Sequence, residues 1–560
     1  LPRLIGLPAA LDIILAGKTV PAQKAFKLGM VDGLAPREQL VETAAQWLLC
    51  ERHPLPKGNH RPSALKLFAM NSAPAAALIH RKVSGDLLKR TRGHYPAPQR
   101  ALDVITDGLR VSIEESLNLE TRAVVDLAGS EQARNLVNVF FLQERAKKFR
   151  VTETNQPAKL RKTAVIGAGV MGSGIAHWLA SKGCEVVLRD INAEAVGRGM
   201  GNIERLFGEA VKRRKFTPVR ARQAMDRIRP VTEPRPMRHA ELVIEAAVER
   251  MDLKLNVFRQ LEELTGPDTI LATNTSALSI STLAKALNVP ERVVGIHFFN
   301  PVHRMQLVEV IRGEKTDPEV LQRSLAFVQA IGKLPVVVKD SPGFVVNRIL
   351  MPYLMEATRL FEQGAHIRDI DGAMLDFGMP MGPLRLVDEV GVDVAWHVCQ
   401  TLAEPFAAYL KVPEVLKTLL DKKHLGKKSG RGFYEHRGNH AEPRQGEVRL
   451  MRDDRAANHD REQLRSRMVL LMINEAARCL EEGIVDAPDD IDFAMIMGTG
   501  FAPFRGGPLR HADTRGIRRV LDEMNSLAVE SGHFHPCDLL RSLAASGGNF
   551  YTKHQTRRQP

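Results

Sequence analysis

His297, in GIHFFNP, and Glu309, in LVEVI, are residue types that together can move a proton. Each lies on a short apolar run, 292–299 and 305–311, and the gap between the runs is too short for a helix. A hairpin or an adjacent pairing of two such strands would bring imidazole and carboxylate together. A carboxylate on one ring nitrogen fixes the tautomer and leaves the other nitrogen fit to accept a proton near neutral pH. Ser276 and Asn274, in ATNTSALS, stand at another predicted strand end, and the Ser276 hydroxyl is placed to hold a substrate oxygen. Asn347, in DSPGFVVNR, follows Pro342 and Gly343 near the start of a helical region, where it would close a cleft between domains. Taken singly, His297 reads as a core histidine bonded to backbone and Asn347 as a helix cap; only together do they suggest a site.

A second constellation gives that site its context. Gly167-Ala168-Gly169-Val170-Met171-Gly172 follows the strand-like TAVI and opens a helical stretch, the setting in which Gly-x-Gly-x-x-Gly binds a dinucleotide. The glycines permit a tight turn and close approach of backbone to a pyrophosphate, which the helix N-terminus attracts. Asp190 ends the next predicted strand, 23 residues beyond Gly167. A carboxylate there hydrogen-bonds ribose hydroxyls and repels a 2′-phosphate, which favours NAD over NADP; FAD stays open as a lesser option. His297 then lies in the later half of the same sheet, where oxidation of an alcohol to a ketone needs its base.

The elements that must position these residues alternate in the manner of a parallel α/β sheet. After TAVIG and CEVVLRD come strand-like runs at 241–246, 269–273, 292–299, 305–311 and 335–340, most of them separated by helical stretches. Beyond Pro342 the pattern is helical and repeats itself: NRILMPYLMEATRLFEQG (347–364) matches SRMVLLMINEAARCLEEG (466–483), IDGAM matches IDFAM, and Pro383 of MGP matches Pro508 of GGP. A repeat of about 120 residues is longer than a solenoid unit and reads as a duplicated helical domain, with the charged stretch 437–461 joining the copies. Upstream, 1–50 reads as short helices broken by Gly and Pro, 51–75 as a loop, 75–148 as helices interrupted at GHYPAPQR, and 152–162 as a linker.

Composition excludes several classes. The 560 residues are 44% hydrophobic and 26% charged, which is globular rather than disordered or fibrous. No apolar run is long enough for a membrane span. Five scattered cysteines form no C-x-x-C pair, so neither a zinc site nor a disulfide framework is expected, and a reducing compartment fits. The net charge of +14 comes from dispersed arginines and lysines without interleaved aromatics, which argues against nucleic acid and leaves a phosphate-rich small molecule as a partner for some of them.

The ordered set GAGVMGSGIA, EAAVER, ATNTSALS, GIHFFNPV, LVEVI, DSPGFVVNR and GFAPFRGGP resembles L-3-hydroxyacyl-CoA dehydrogenase. GHYPAP, SLNLE and NVFFLQERAKK resemble the linker of fatty-acid oxidation complex alpha subunits, and LPRLIG…VDGL resembles the tail of a crotonase-fold enoyl-CoA hydratase domain. The resemblance implies a hydratase remnant at 1–50, a helical linker at 51–158, a Rossmann-type NAD-binding domain at 159–339, and helical dehydrogenase domains at 340–436 and 437–560. It implies NAD-dependent oxidation of (S)-3-hydroxyacyl-CoA in fatty-acid β-oxidation. In the site, His297 would be the general base, Glu309 its support, and Ser276 and Asn347 the hydrogen-bond partners of the substrate. Met171, Asp190, Ala247, Val248, Glu249, Lys254, Ser276 and Asn300 match positions that contact NAD, beside Gly167, Gly169 and Gly172. The family's two hydratase glutamates have no counterpart here, so hydration of enoyl-CoA is not expected of this chain, which looks truncated at its start. A thiolase beta subunit or a second copy is the implied partner, and bacterial cytoplasm, or else the mitochondrial matrix, the implied compartment. Two other readings are NADPH-dependent reduction of 3-ketoacyl-CoA and a non-catalytic scaffold.

Overall fold

A computed structural model describes residues 1–49, 61–151, 160–234, 237–407, 409–438, 440–444 and 460–551. They form two compact units, Leu1–Asn135 and Leu136–Pro560. The first unit is helical, and its small core joins Leu7 and Leu11 to Ala76 and Leu102. Its helices begin with Pro2–Ile5 and Leu7–Ile14, short as the Gly and Pro spacing predicts. Ala64–Asn71 is also a helix, inside a stretch expected to be loop, because the Ser63 hydroxyl caps it by accepting the Lys66 N–H. Residues 51–60 of that expected loop and most of the expected linker, 152–159, lie outside the described residues.

The second unit contains an eight-stranded sheet. Its strands are β1 (Lys162–Ile166), β2 (Glu185–Arg189), β3 (Ile228–Val231), β4 (Leu242–Glu245), β5 (Ile270–Thr273), β6 (Val293–Phe298), β7 (Leu307–Arg312) and β8 (Leu334–Lys339). Their order is β3-β2-β1-β4-β5-β6-β7-β8. Every neighbouring pair is parallel except β6 and β7. The exception follows from chain length. A parallel return needs a crossover of a dozen or more residues, and the segment between Phe298 and Leu307 is shorter than that. The resulting register sets His297 directly opposite Glu309, and residues so paired project to one face of the sheet. β4, β5 and β6 are buried throughout, as a sheet covered on both faces requires. β3 has no counterpart among the expected strands: IRPV is short, polar in its middle and interrupted by Pro230, which an edge strand tolerates.

The duplicated pattern folds as duplicated helices. Val346–Glu362 corresponds to Arg461–Glu481, Ile367–Phe377 to Pro488–Thr499, and Pro383–Val390 to Pro508–Arg515. A two-stranded antiparallel ribbon, Tyr434–Arg437 with His440–Pro443, adds a feature that the helical periodicity did not signal. Most of the charged connector, 445–459, lies outside the described residues. The long first helices of the two copies are joined by reciprocal buried ion pairs, Arg348 with Glu475 at 2.8 Å and Arg467 with Glu356 at 2.7 Å. Each arginine follows the first residue of its repeat and each glutamate is the matching residue of the other, so the contact has the self-complementary form of a two-fold interface.

Each copy also buries one aspartate behind its Pro-started helix. Asp371 accepts the N–H groups of Leu384 and Arg385 and the Tyr434 hydroxyl; Asp492 accepts those of Leu509 and Arg510 and the Tyr551 hydroxyl. Burial pushes Asp371 up to about 6 and Asp492 up to about 7, against the pull of these donors. The folded chain thus holds the Asp492 proton where the unfolded chain has released it. Its contribution to stability is full below the unfolded value of 3.8 and is lost as pH rises toward about 7. Relative to Asp492→Asn, which cannot titrate, the wild-type melting temperature should fall by several degrees between about pH 4 and about pH 8. Parallel melting curves of the two proteins over that range check this; a constant gap between them would mean that the donors, not burial, govern the group.

Candidate active site

The glycine turn leads from β1 into the helix Val170–Ser181. Gly167 has φ +105°, and its N–H donates to the Arg189 carbonyl at 2.7 Å. A Cβ on Gly167 would lie 2.6 Å from the Ala246 carbonyl oxygen, and one on Gly172 only 1.8 Å from that of Gly167. Both glycines are therefore required by the protein's own packing. Gly169 is different: a Cβ there would meet nothing within 4 Å. The space in front of it lies at a helix N-terminus that no side chain caps, so its amides are placed for an anion. Met171 is half-buried against the sheet core. Asp190, just past β2, accepts the N–H of Ala168 at 2.6 Å and of Ile191 at 2.7 Å. Each of its oxygens keeps a lone pair for a further donor. An open glycine, uncapped amides and a carboxylate at the next strand end fit the pyrophosphate and adenosine ribose of NAD.

Past β4 the expected cofactor residues Ala247, Val248 and Glu249 form a loop, and Lys254 follows on the helix Met251–Leu264. They belong to one buried chain of charges. The Lys254 ammonium, 1% exposed, lies 2.8 Å from both oxygens of Glu245 and 3.4 Å from Glu249. Glu245 also accepts the Ala247 N–H and the Thr273 hydroxyl. Glu249 accepts the Thr275 hydroxyl at 2.6 Å, the Ser276 N–H at 2.7 Å and the Ser276 hydroxyl at 3.0 Å. Burial pushes the Glu249 carboxyl up, but the Lys254 charge and these donors outweigh it and hold it below the usual carboxylate range. Glu245 carries no sequence signal of its own. A lysine on a helix face turned toward a sheet demands a buried counter-charge, and Glu245 at the end of the preceding strand was the available one.

His297 and Glu309 meet as their pairing requires. The His297 Nδ1 lies 2.8 Å from a Glu309 oxygen, with the carboxylate fully buried and the imidazole nearly so. The other Glu309 oxygen accepts the N–H groups of Val345 at 3.1 Å and Val346 at 2.9 Å. Such a carboxylate fixes Nδ1 as the protonated nitrogen and presents Nε2 as the acceptor; no hydrogen bond among the described residues occupies Nε2. The ring is packed by Phe299 and Phe344, with centroids at 4.5 and 5.8 Å. Asn274 accepts the Phe298 N–H, which ties β6 to the end of β5.

Asn347 is the second residue of Val346–Glu362, and the helix cap position belongs to Val345. Its amide donates to the Ser276 carbonyl at 3.1 Å, so it bridges the helical region to the sheet rather than capping its own helix. The structure therefore joins Asn347 to Ser276, Ser276 to Glu249 and Lys254, and His297 to Glu309. Met171, Val248 and the exposed Asn300 are linked to this network by no side-chain hydrogen bond among the described residues.

Known proteins match the chain over most of its length. The family model described as 3-hydroxyacyl-CoA dehydrogenase, NAD binding domain, matches residues 162–341. That for the 3-hydroxyacyl-CoA dehydrogenase C-terminal domain matches twice, at 343–436 and 464–555. The fatty acid oxidation complex subunit alpha of Psychrobacter sp. (strain PRwf-1) is 36% identical over 99% of this chain and 78% of its own. That of Vibrio parahaemolyticus is 36% identical over 98% and 78%. Among solved structures, 3-hydroxybutyryl-CoA dehydrogenase from Escherichia coli K12 is 33% identical, covering 69% of this chain and 99% of its own at a TM-score of 0.61.

Proposed function

The chain belongs to the 3-hydroxyacyl-CoA dehydrogenase family, in the line of fatty acid oxidation complex alpha subunits, and from that premise we propose how its residues carry out the reaction. The enzyme oxidises 3-hydroxyacyl-CoA with NAD as cofactor, within fatty-acid β-oxidation. The hydroxyl proton passes to His297 Nε2. Bound NAD supplies the acceptor for the hydride from C3. Glu309 balances the imidazolium that forms, and its own position is fixed by the Val345 and Val346 amides. Ser276 and Asn347 hold the substrate, and the (S) alcohol is the enantiomer turned over. Gly167, Gly169 and Gly172 would hold NAD, Asp190 would bond its ribose, and Met171, Ala247, Val248, Glu249, Lys254 and Asn300 would complete its site. The single observation that carries this reading is the 2.8 Å contact between His297 and the buried Glu309 in the sheet that also bears the glycine turn.

NADH formation from (S)-3-hydroxybutyryl-CoA, with the (R) enantiomer as control, tests it; no turnover of the (S) substrate would overturn it. The cofactor choice is tested in the same assay. A 2′-phosphate would be set against the Asp190 carboxylate, so kcat/KM with NADP should be lower than with NAD by about 100-fold or more. Comparable rates with both would remove Asp190 from the ribose site.

The division at 50, 158, 339 and 436 belongs to the same proposal, supported by the repeat and by the end of one family match at 341 and the start of the next at 343. The relatives' name supports assembly with another subunit. We assign that role to a thiolase beta subunit, a homodimer being the alternative that a mass measurement of the complex would reveal. Bacterial relatives favour the cytoplasm, and no described helix is long and apolar enough to cross a membrane.

A further inference from the structure

We propose that Arg348 is a positioning residue for the His297–Glu309 pair, anchored for that task by Glu475 and Glu482 of the second helical copy; this rests on the reading of His297 as the base. Arg348 stands in the first turn of Val346–Glu362, immediately after Asn347. The backbone just before it donates to Glu309, and the Asn347 amide reaches Ser276. Its side chain runs the other way. The guanidinium, 1% exposed, donates from Nε to Glu475 at 2.8 Å and from both terminal nitrogens to Glu482 at 2.6 Å. It also donates to the Ser341 hydroxyl at 3.2 Å and stacks on Phe406 at 4.4 Å. A planar fork bound at this many points has one orientation.

The segment it anchors needs holding. Gly343 and Phe344 have successive positive φ values, +71° and +54°. A non-glycine residue persists in that region only where its surroundings over-determine it. Phe344 is also one of the two rings against His297. If the turn relaxed, the Val345 and Val346 amides would leave Glu309 and the imidazole would lose both its partner and its packing. The Arg348 cluster, with Ser341 on one side of the turn and the second copy on the other, opposes that relaxation. A helical copy that contributes no residue to the site described above would thereby act on it.

The duplication supplies the control. Arg467–Glu356 is the matching buried pair in the reverse sense, but Arg467 follows Ser466, remote in sequence from the turn. Three proteins are compared: wild type, Glu475→Gln and Glu356→Gln. Readouts are kcat, KM for NAD, melting temperature, and the tautomer of His297 from ¹⁵N imidazole spectra, assigned with His297→Ala. Glu475→Gln is expected to lower kcat by about 10- to 100-fold, as small misplacements of a reacting group do. KM for NAD should stay within about twofold, and the single Nδ1–H tautomer should give way to a mixture. Glu356→Gln should cost similar melting temperature while kcat and tautomer stay as in wild type. If kcat of Glu475→Gln lies within about twofold of wild type, or if Glu356→Gln loses as much, the proposal is overturned. Should Glu475→Gln not fold, Glu482→Gln carries the same comparison, since that carboxylate is 43% exposed. A wild type without NAD-dependent turnover defeats the reading of His297 as base; the tautomer comparison needs no turnover and still decides whether the cluster positions the ring.

Discussion

Replacement of His297 by alanine is expected to lower kcat for (S)-3-hydroxybutyryl-CoA oxidation by about 1,000-fold, in the range that positioned general bases supply. The hydroxyl proton must leave as the hydride leaves. In the wild type it has an acceptor whose Nδ1 is held by Glu309 at 2.8 Å. In the variant it has only water, admitted to a site walled by Phe299 and Phe344. KM for NAD should change little, because the glycine turn and Asp190 lie on other strands. Steady-state kinetics measure both quantities. A loss below about tenfold would assign the proton to another group and favour the scaffold reading of the chain.

Glu309→Gln should cost nearly as much, about 100- to 1,000-fold in kcat, while the fold survives. The amide oxygen can still accept from Val345 and Val346, so the buried N–H groups at the helix start keep their partner. The amide nitrogen, however, would then face the imidazole as a donor. Nδ1 would have to accept, its proton would move to Nε2, and the nitrogen that should take the substrate proton would already carry one. Circular dichroism and melting temperature separate this tautomer effect from unfolding. A glutamine variant of near-normal kcat would show that Glu309 serves packing alone. Glu309→Ala adds a different penalty, two buried N–H groups left without an acceptor.

The legibility of this site in the sequence follows physical lines. Strand β6 and strand β7 are readable because apolar runs bounded by turn residues carry a local signal, and a gap that no helix could fill allows a hairpin or an adjacent pairing, of which the structure shows the antiparallel one. The glycine turn is readable because the positive φ at Gly167 and the close contacts at Gly167 and Gly172 restrict the residue type. Glu245 is not, since a glutamate at a strand end looks like surface until Lys254 is seen against it. Asn347 is legible as a residue near the cleft, but its bonding is not: a helix-start asparagine usually bonds its own backbone, and only the tertiary contact with Ser276 distinguishes the case. β3 and the Tyr434–Arg437 ribbon escaped because short edge elements with polar or proline residues carry little periodicity.

The reciprocal arginine–glutamate contacts have a consequence for how this architecture can change. When two identical polypeptides share a symmetric seam, a single codon alters both sides at once, so neither half can specialise without the other. Here the halves are written separately in one gene. Asn347 faces the sheet where its counterpart Ser466 instead bonds Glu523, a divergence that two identical chains could not reach independently.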